Sequence, residues 1–307
     1  MNGFLNLLKP PGMTSHDVVA VMRRTLGEKK IGHCGTLDPQ AAGVLPLCLG
    51  QATRLADYLS GGEKSYYCEM KLGFETDTQD VWGNTTWINP AGIPGPGRDR
   101  AKAEDAARSL EGEILQEVPA YSSVKREGKS LYAYAREGML HTGLSRPVSV
   151  RSIRIAGLDG DTLRFVVECG AGTYVRMICR DIGRKLGCGG AMSFLLRLSV
   201  GPFLLEDSVT LEEIRERADS GAMDAIIAPG ELALARLPRM EAGVQEAGRI
   251  RCGQSVWLLS DAKDEGRAWA SDGQGRLIAL GCSKPGSGSR AGQALFKPDK
   301  VFSSPNA

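Results

Sequence analysis

The sequence has few of the residues that form metal sites and disulfide frameworks. Its 307 residues include only three histidines, and no two of its eight cysteines form a Cys-x-x-Cys pair. Structural zinc sites need clustered cysteine and histidine ligands, and disulfide frameworks belong mainly to small secreted domains. We therefore predict scattered, reduced cysteines, no structural zinc and a cytoplasmic protein.

Long apolar runs and a surplus of one charge sign are also missing. No apolar run approaches the roughly 20 residues that span a membrane, and the start MNGFLNLLKPPG lacks the basic segment of a signal peptide. The formal net charge is only +2, which by itself predicts no nucleic-acid partner. Residues 146–197 nevertheless hold nine Lys and Arg against four Asp and Glu. An RNA-facing surface and an ordinary solvated surface are both compatible with that local excess.

Hydrophobic periodicity predicts helices and strands over most of the chain. Ser15 as N-cap and Gly27 as a stop bracket a helix, and apolar residues alternate with polar ones from Tyr66 to Leu72 as in a half-buried strand. A helix capped by Thr173 runs to Leu186, with an apolar face and a stripe of three arginines. Further predictions are a loop at 89–97, a helix at 101–110, strands near 148–155 and 163–167, a helix in 210–221, and a small β module of short strands beyond about residue 240.

The first candidate for chemistry is an acid in the turn-rich segment 32–46. Asp38 is followed by proline and surrounded by Gly32, Gly35 and Gly43, in a stretch too short for much regular structure. Because glycine lets a backbone approach a ligand closely, a carboxylate here could be a nucleophile or a general base. An ordinary Asp-Pro turn fits the same residues.

Two further features involve cations. Arg176 lies in the first turn of its predicted helix, where the helix dipole disfavours a cation unless an anion such as Asp38 or a phosphate is close. A solvated arginine is the alternative. Residues 119–136 interleave tyrosines with lysine and arginine, which is typical of nucleic-acid surfaces, although tyrosines at helical spacing also form cores.

Taken together and in order, six strings resemble the TruB family of tRNA pseudouridine synthases. The most specific one is GHCGTLDPQAAGVLP at 32–46. The resemblance covers about residues 2–235, and the residues from about 240 onward are similar to a PUA RNA-binding module. The other five strings are KPPGMTS at 9–15, KSY at 64–66, TDTQD at 76–80, PAYSSVK at 119–125 and GTYVR at 172–176.

The resemblance implies a fold and a reaction. The expected fold class is α/β (α+β), with a mixed, largely antiparallel sheet flanked by helices in a pseudouridine synthase domain (1–238) and a β-rich PUA-like domain (239–307). Residues 119–147 are the expected insertion that clamps the T arm of tRNA. The expected reaction is isomerisation of tRNA uridine 55 to pseudouridine, without cofactor or metal.

Individual residues acquire roles from the same resemblance. Asp38 corresponds to the catalytic aspartate, Tyr66 to the tyrosine that stacks on the target base and is a candidate acceptor of its C5 proton, and Arg176 to the arginine that pairs with the aspartate. A uridine inside a folded loop must be flipped out to react, so the enzyme needs surfaces that replace its lost stacking. The expected substrate-binding residues are His33, Asp77, Tyr174, Lys9, Lys64, Lys125, Arg180 and Arg197.

The expected partner is tRNA alone, bound by a monomer without a membrane or a guide RNA. One alternative is a non-catalytic RNA-binding or tRNA-folding protein on the same scaffold, and another is a guide-dependent synthase of ribosomal RNA. The joint presence of Asp38, Tyr66 and Arg176 favours an enzyme, because a simple RNA binder has no need of a carboxylate among phosphates.

Overall fold

The structure is a computed structural model that describes residues 1–92, 99–139, 143–261 and 263–302. Its helices are α1 (Ser15–Leu26), α2 (Ala56–Ser60), α3 (Arg100–Arg108), α4 (Leu131–Arg136), α5 (Val175–Lys185), α6 (Leu211–Asp219) and α7 (Val244–Arg251). Its strands are β1 (Gly3–Lys9), β2 (Ile31–His33), β3 (Ala42–Leu49), β4 (Lys64–Leu72), β5 (Phe74–Thr76), β6 (Thr85–Ile88), β7 (Gly112–Glu117), β8 (Lys125–Arg126), β9 (Lys129–Ser130), β10 (Ser145–Asp159), β11 (Thr162–Cys169), β12 (Gly190–Val200), β13 (Phe203–Leu204), β14 (Ile227–Ala228), β15 (Arg239–Glu241), β16 (Val256–Leu259), β17 (Gly266–Ser271), β18 (Leu277–Pro285) and β19 (Gln293–Val301).

A ten-stranded sheet forms the centre of the larger part of the molecule. Its order is β14-β1-β3-β12-β4-β11-β10-β7, with β2 paired to β3 and β13 paired to β12. Neighbouring strands are antiparallel except β3 and β12, which run parallel. The predicted mixed, largely antiparallel sheet flanked by helices is confirmed.

Strand β4 shows why the sheet has a covered face. Its residues alternate between buried and partly exposed along the whole strand, as the period of two predicts. Tyr66, Cys68 and Met70 point into a core that also includes apolar residues of α3 and α5. The face of the sheet that carries Tyr66 is therefore the face on which α5 lies.

Two predicted helix caps are wrong by one residue. Helix α1 is capped by Thr14, whose side chain accepts from the Asp17 backbone, whereas Ser15 is the first helical residue. The Ser15 hydroxyl instead exchanges hydrogen bonds with the backbone of Leu37. Helix α5 begins after Tyr174 and has no side-chain cap of its own, so Thr173 does not cap it. A helix cap needs a side chain that accepts from a backbone N–H of the first turn, and spacing alone does not show which hydroxyl does so.

The segment between β7 and β10 is an extension from the main sheet. It contains the β8–β9 hairpin and α4, and it coincides with the predicted insertion at 119–147, of which 140–142 lie outside the described residues. Part of the predicted loop at 89–97 also lies outside them. No helix among the described residues is long and apolar enough to cross a membrane.

The C-terminal part is β-rich, as predicted, and is built on a second sheet of order β15-β17-β18-β19-β16. Trp269, Leu280 and Phe302 of this part share one apolar core with Phe4 and Leu55 of the first part. Polar contacts also join the two parts, including the bond from the Arg267 guanidinium to the Tyr58 hydroxyl at 2.8 Å. The two sheets are therefore held together by a common core.

Two glycines inside helices test how closely the elements pack. A Cβ at Gly183 in α5 would lie 2.3 Å from the backbone carbon of Gly189, whereas a Cβ at Gly248 in α7 would meet nothing within 4 Å. We expect Gly183→Ala to lower the free energy of unfolding by about 1–3 kcal/mol through overpacking. Gly248→Ala should raise it by about 0.5–1 kcal/mol, because alanine loses less entropy in a helix. Denaturant unfolding of both variants measures the contrast, and equal effects would contradict the tight contact at Gly183.

Candidate active site

Asp38 lies in the loop between β2 and β3, and its side chain is 38% exposed. Lys9 supports this loop. Its Nζ donates to the carbonyls of Pro10, Pro39 and Ala41 at 2.9, 3.0 and 2.7 Å. Unsatisfied carbonyls in an irregular loop are costly to bury. The ammonium group therefore stabilises the backbone that follows Asp38, while the carboxylate stays accessible.

Arg176 joins this loop to two other segments. Its Nε donates to Asp38 Oδ2 at 2.8 Å, and Nη2 lies 3.5 Å from Asp38 Oδ1. Its remaining bonds go to the carbonyls of Thr78 at 2.7 Å and Tyr121 at 3.0 Å. Arg176 is only 4% exposed, so it is a buried cation that makes four hydrogen bonds. Of the two sequence-based readings, a solvated arginine is wrong, and the anion beside it is Asp38.

The strand register brings the other predicted residues to the same place. Tyr66 pairs with Arg197, Arg197 with Gly43, and Gly43 with Lys9, in one row across β4, β12, β3 and β1. A Cβ at Gly43 would lie 2.3 Å from the Arg197 carbonyl oxygen, and the φ of Gly43 is +113°. Glycine is required here because β3 and β12 approach each other so closely.

Tyr66 is almost fully buried, at 7% exposure. Burial raises the pKa of its phenol, and the nearby Arg197 guanidinium acts in the opposite direction. The phenol is therefore protonated at neutral pH, with a cation close enough to favour the phenolate. The ring supplies an aromatic surface beside Asp38, and the hydroxyl supplies a group that can exchange a proton.

Three residues predicted to contact tRNA are instead internal supports. Arg197 is fully buried and donates to the carbonyls of Val44, Thr36 and Gly35. Lys64 is buried and donates to two carbonyls, and Lys9 is as buried as Arg197. Burial lowers the pKa of both Lys9 and Lys64 to about 8. In this structure the three cations satisfy backbone carbonyls, and their contact with tRNA stays a prediction.

The predicted basic stripe on α5 is likewise engaged with the protein. Arg180 bonds to Glu117 at 2.7 Å and to Asp181 at 2.8 Å, with only 13% of its side chain exposed. Arg184 pairs with Glu75 through two bonds of 2.7 Å. Each arginine of the stripe therefore carries a carboxylate partner. The sequence had suggested that Arg180 faces RNA. In the structure its guanidinium is paired with two carboxylates.

The turn after β5 contains Asp77, an expected substrate-binding residue whose carboxylate is bonded within the turn itself. The Asp77 carboxylate accepts from the backbone and side chain of Asn84 at 2.8 and 3.1 Å, which closes the turn. Asp80 is the carboxylate that lies within electrostatic reach of Arg176 and Asp38, and burial raises its pKa. Sequence analysis missed Asp80, because nothing in the TDTQD string shows which of its two aspartates faces inward.

The remaining predicted residues lie around this centre. Tyr174 immediately precedes α5, and its ring lies 4.6 Å from the guanidinium of Arg146. His33 packs edge-on against His16, and its Nδ1 is buried without a hydrogen-bond partner. Lys125 is exposed on the β8–β9 hairpin. The structure therefore groups Asp38, Tyr66 and Arg176 and leaves Lys125 well exposed on the insertion.

The site combines an accessible carboxylate aimed by a buried arginine with a buried tyrosine ring. Such a carboxylate is accessible and oriented, which suits nucleophilic or acid–base chemistry. Among the described residues, no group of three or more His, Cys, Asp or Glu side chains is placed to hold a metal ion.

Comparison with known families agrees with this chemistry. The model of the TruB family pseudouridylate synthase N-terminal domain matches residues 23–175, and that of the tRNA pseudouridylate synthase B C-terminal domain matches residues 176–235. The fold and site thus define a pseudouridylate synthase, an isomerase.

Individual relatives make the assignment narrower. The tRNA pseudouridine synthase B of Heliobacterium modesticaldum is 44% identical, with 98% of this chain and 96% of the relative covered. That of Geobacillus thermodenitrificans is 42% identical, with 98% and 100% covered. A solved H/ACA RNP bound to a substrate RNA containing 2′-deoxyuridine has a TM-score of 0.74 at 27% identity, with 98% of this chain and 85% of that chain covered. The chain belongs to the TruB family.

His33 offers a test of the environment beside the loop. Burial, with His16 and Arg197 nearby, lowers the pKa of His33 to about 4. We expect its ring resonances, assigned with His33→Gln, to stay unshifted by NMR between about pH 7 and pH 5, where an ordinary histidine titrates. A midpoint near pH 6.5 would contradict the buried placement.

The same shift has a consequence for stability. The imidazole of His33 takes up a proton at about pH 6.5 in the unfolded chain but only at about pH 4 in the folded protein. The free energy of unfolding therefore falls as the pH is lowered through that interval. His33→Gln should make that fall less steep.

Proposed function

We propose that this protein converts uridine 55 in the T arm of tRNA to pseudouridine, with Asp38 as the catalytic carboxylate. The observation that carries the proposal is the Asp38–Arg176 pair, with the buried Tyr66 within electrostatic reach of Asp38. The names of the TruB relatives support tRNA as the substrate. The T arm and the single uridine come from the family resemblance of the 32–46 string.

The reaction breaks the bond from the ribose to uracil N1 and forms a bond from the ribose to C5. The C5 proton leaves, a proton is taken up at N1, and the product has the same composition as the substrate. The enzyme therefore needs a nucleophile that holds one fragment while the base turns, and an acceptor for the C5 proton. Asp38 is the nucleophile in this proposal. Tyr66 gives its hydroxyl proton to N1 and then, as the phenolate that the Arg197 guanidinium favours, accepts the C5 proton.

Arg176 orients the carboxylate in this mechanism. Its guanidinium fixes the direction of the Asp38 side chain through the bond of 2.8 Å from Nε to Oδ2. Its bonds to Thr78 and Tyr121 hold that guanidinium in place from two sides. The carboxylate is therefore oriented before the uridine arrives.

The insertion between β7 and β10 is the proposed clamp for the T arm. Lys125 and Tyr132 are exposed on it, and an exposed aromatic next to cations suits unstacked bases and phosphates. The β-rich C-terminal part is proposed as a PUA-like contact with the same tRNA. Cation contacts with phosphate make such binding weaker at higher salt.

We further propose that the protein acts without a guide RNA and as a monomer. The structural relatives in H/ACA particles are only 27–28% identical to this chain, whereas the tRNA enzymes are 42–44% identical. Conversion of a bare tRNA transcript by the purified protein would exclude an obligatory guide.

Tritium release from C5-labelled uridine in an unmodified tRNA transcript tests the reaction. Asp38→Asn removes the negative charge but keeps the size of the side chain, so we expect turnover to disappear while tRNA affinity stays within about twofold. A transcript without the T-arm uridine should release nothing.

Two results would contradict this proposal. Turnover of Asp38→Asn near the wild-type rate would remove Asp38 from the mechanism. Tight tRNA binding by the wild-type protein without any release would favour the alternative of a non-catalytic RNA-binding or tRNA-folding protein.

Tyr66 can be divided into its ring and its hydroxyl. Tyr66→Phe keeps the aromatic surface and loses the proton acceptor, whereas Tyr66→Leu loses both. We expect Tyr66→Phe to slow single-turnover conversion with unchanged tRNA binding, and Tyr66→Leu to slow it further, because stacking on one base contributes about 1–3 kcal/mol. Wild-type rates for Tyr66→Phe would assign Tyr66 to stacking alone.

A further inference from the structure

Tyr174 lies directly before α5, and the structure shows an unusual way of holding it. Helix α5 has no side-chain cap of its own. The carboxamide of Gln116 on β7 instead bonds to the backbone of the N-cap residue itself, because Oε1 accepts from the Tyr174 N–H at 2.8 Å and Nε2 donates to the Tyr174 carbonyl at 3.2 Å. Gln116 is only 2% exposed. Both backbone groups of Tyr174 are therefore fixed by one buried side chain from another element.

The ring of Tyr174 is held by the cross-strand partner of that glutamine. Arg146 on β10 pairs in register with Gln116, and its guanidinium lies 4.6 Å from the centre of the Tyr174 ring. A planar guanidinium over an aromatic face is attractive and orients the ring. With one face covered by Arg146, only the other face of the ring is left for a base.

Gly172 provides the space for this contact. A Cβ there would lie 3.0 Å from the Cζ and from one terminal nitrogen of Arg146, and the φ of Gly172 is +88°. A larger residue would push the guanidinium away from the ring.

Arg146 also differs from the arginines of α5. Arg176, Arg180 and Arg184 each have a carboxylate partner, whereas no carboxylate among the described residues pairs with Arg146. Its Nε is buried without a hydrogen-bond partner. The contact that the structure gives this guanidinium is the Tyr174 ring, which indicates a role inside the protein.

We infer that Gln116 and Arg146 are positioning residues that set the backbone and ring of Tyr174 for the target base. This inference rests on the proposed function and on the expectation, from the family resemblance, that Tyr174 contacts the flipped uridine. Tyr174 is two residues before Arg176. Gln116 and Arg146 therefore also fix the start of the helix that supplies the partner of Asp38. Gln116 and Arg146 also lie in the two strands that flank the insertion. This pair of residues therefore connects the proposed T-arm contact to the reacting centre.

The test compares single-turnover conversion and tRNA affinity in Arg146→Met and in a matched control. Arg154→Met removes an exposed arginine from the same strand, β10. We expect Arg146→Met to slow conversion about 10- to 100-fold, the size of effect that a small misplacement of a reacting group produces. Its tRNA dissociation constant should change less than twofold, and Arg154→Met should convert at the wild-type rate. Arg146→Lys should recover part of the rate, because it restores a cation over the ring.

Gln116→Glu is the second variant and is nearly isosteric. It keeps the oxygen that accepts from the Tyr174 N–H and replaces the donor to the Tyr174 carbonyl with a second oxygen. We expect slower conversion at unchanged tRNA affinity. Denaturant unfolding confirms that each variant is folded.

The outcomes separate this inference from its alternative and from the proposed function. If Arg146→Met weakens tRNA binding, lowers the log–log salt slope by about one and converts bound tRNA normally, Arg146 is a phosphate contact and the inference is overturned. Wild-type rates in both Arg146→Met and Gln116→Glu would also overturn it. If the wild-type protein converts no uridine, the proposed function itself fails.

The dependence on Tyr174 can be checked in a double-mutant cycle. In a Tyr174→Ala background, Arg146→Met should cause little further slowing, because the ring through which it acts is gone. A further slowing of the full size would show that Arg146 acts independently of Tyr174.

Discussion

The burial of one cation, Arg176, organises the site. An arginine out of water is strongly destabilising unless its donors are paired, and removing one partner of such a pair costs about 3–5 kcal/mol. Its partners come from three distant segments: the Asp38 loop, the turn at Thr78 and the base of the insertion at Tyr121. The requirement to satisfy one guanidinium therefore brings together the Asp38 loop, the β5–β6 turn and the insertion that we propose to bind the T arm. The same bonds leave Asp38 partly exposed, so the stabilising contact and the accessible carboxylate are compatible.

A second set of cations supports the loop from within the sheet. Lys9 and Arg197 donate to carbonyls of the segment around Asp38, where irregular backbone cannot satisfy itself. Their row across the strands ends at Tyr66, beside the same loop. Two of the nine cations in residues 146–197, Arg176 and Arg197, are thus used to build the site. Attraction of RNA must then come from exposed cations such as Lys125, which agrees with a net charge of only +2.

Much of the architecture was predictable, and the failures have a common cause. Alternation identified β4, and apolar spacing identified α5, because those periods reflect which face is buried. The 32–46 string also identified Asp38. Lys64 and Arg180 were expected to face phosphate, because a sequence shows that a residue is charged but not which carbonyl or carboxylate lies opposite it. Partners that are far apart in the chain become neighbours only through strand register and helix packing.

The sequence by itself determined the family, the strand and helix periods, and the position of the carboxylate that we propose to react. These are encoded in local strings and in spacing along one element, where neighbours in the chain are neighbours in space. Only the tertiary structure decided which charges are buried. In the folded chain Asp80, and not Asp77, is the carboxylate near Arg176, and Gln116 of β7 lies at the start of α5. The physical reason is that burial and hydrogen-bond partners are set by contacts between distant segments, which no single stretch of sequence contains.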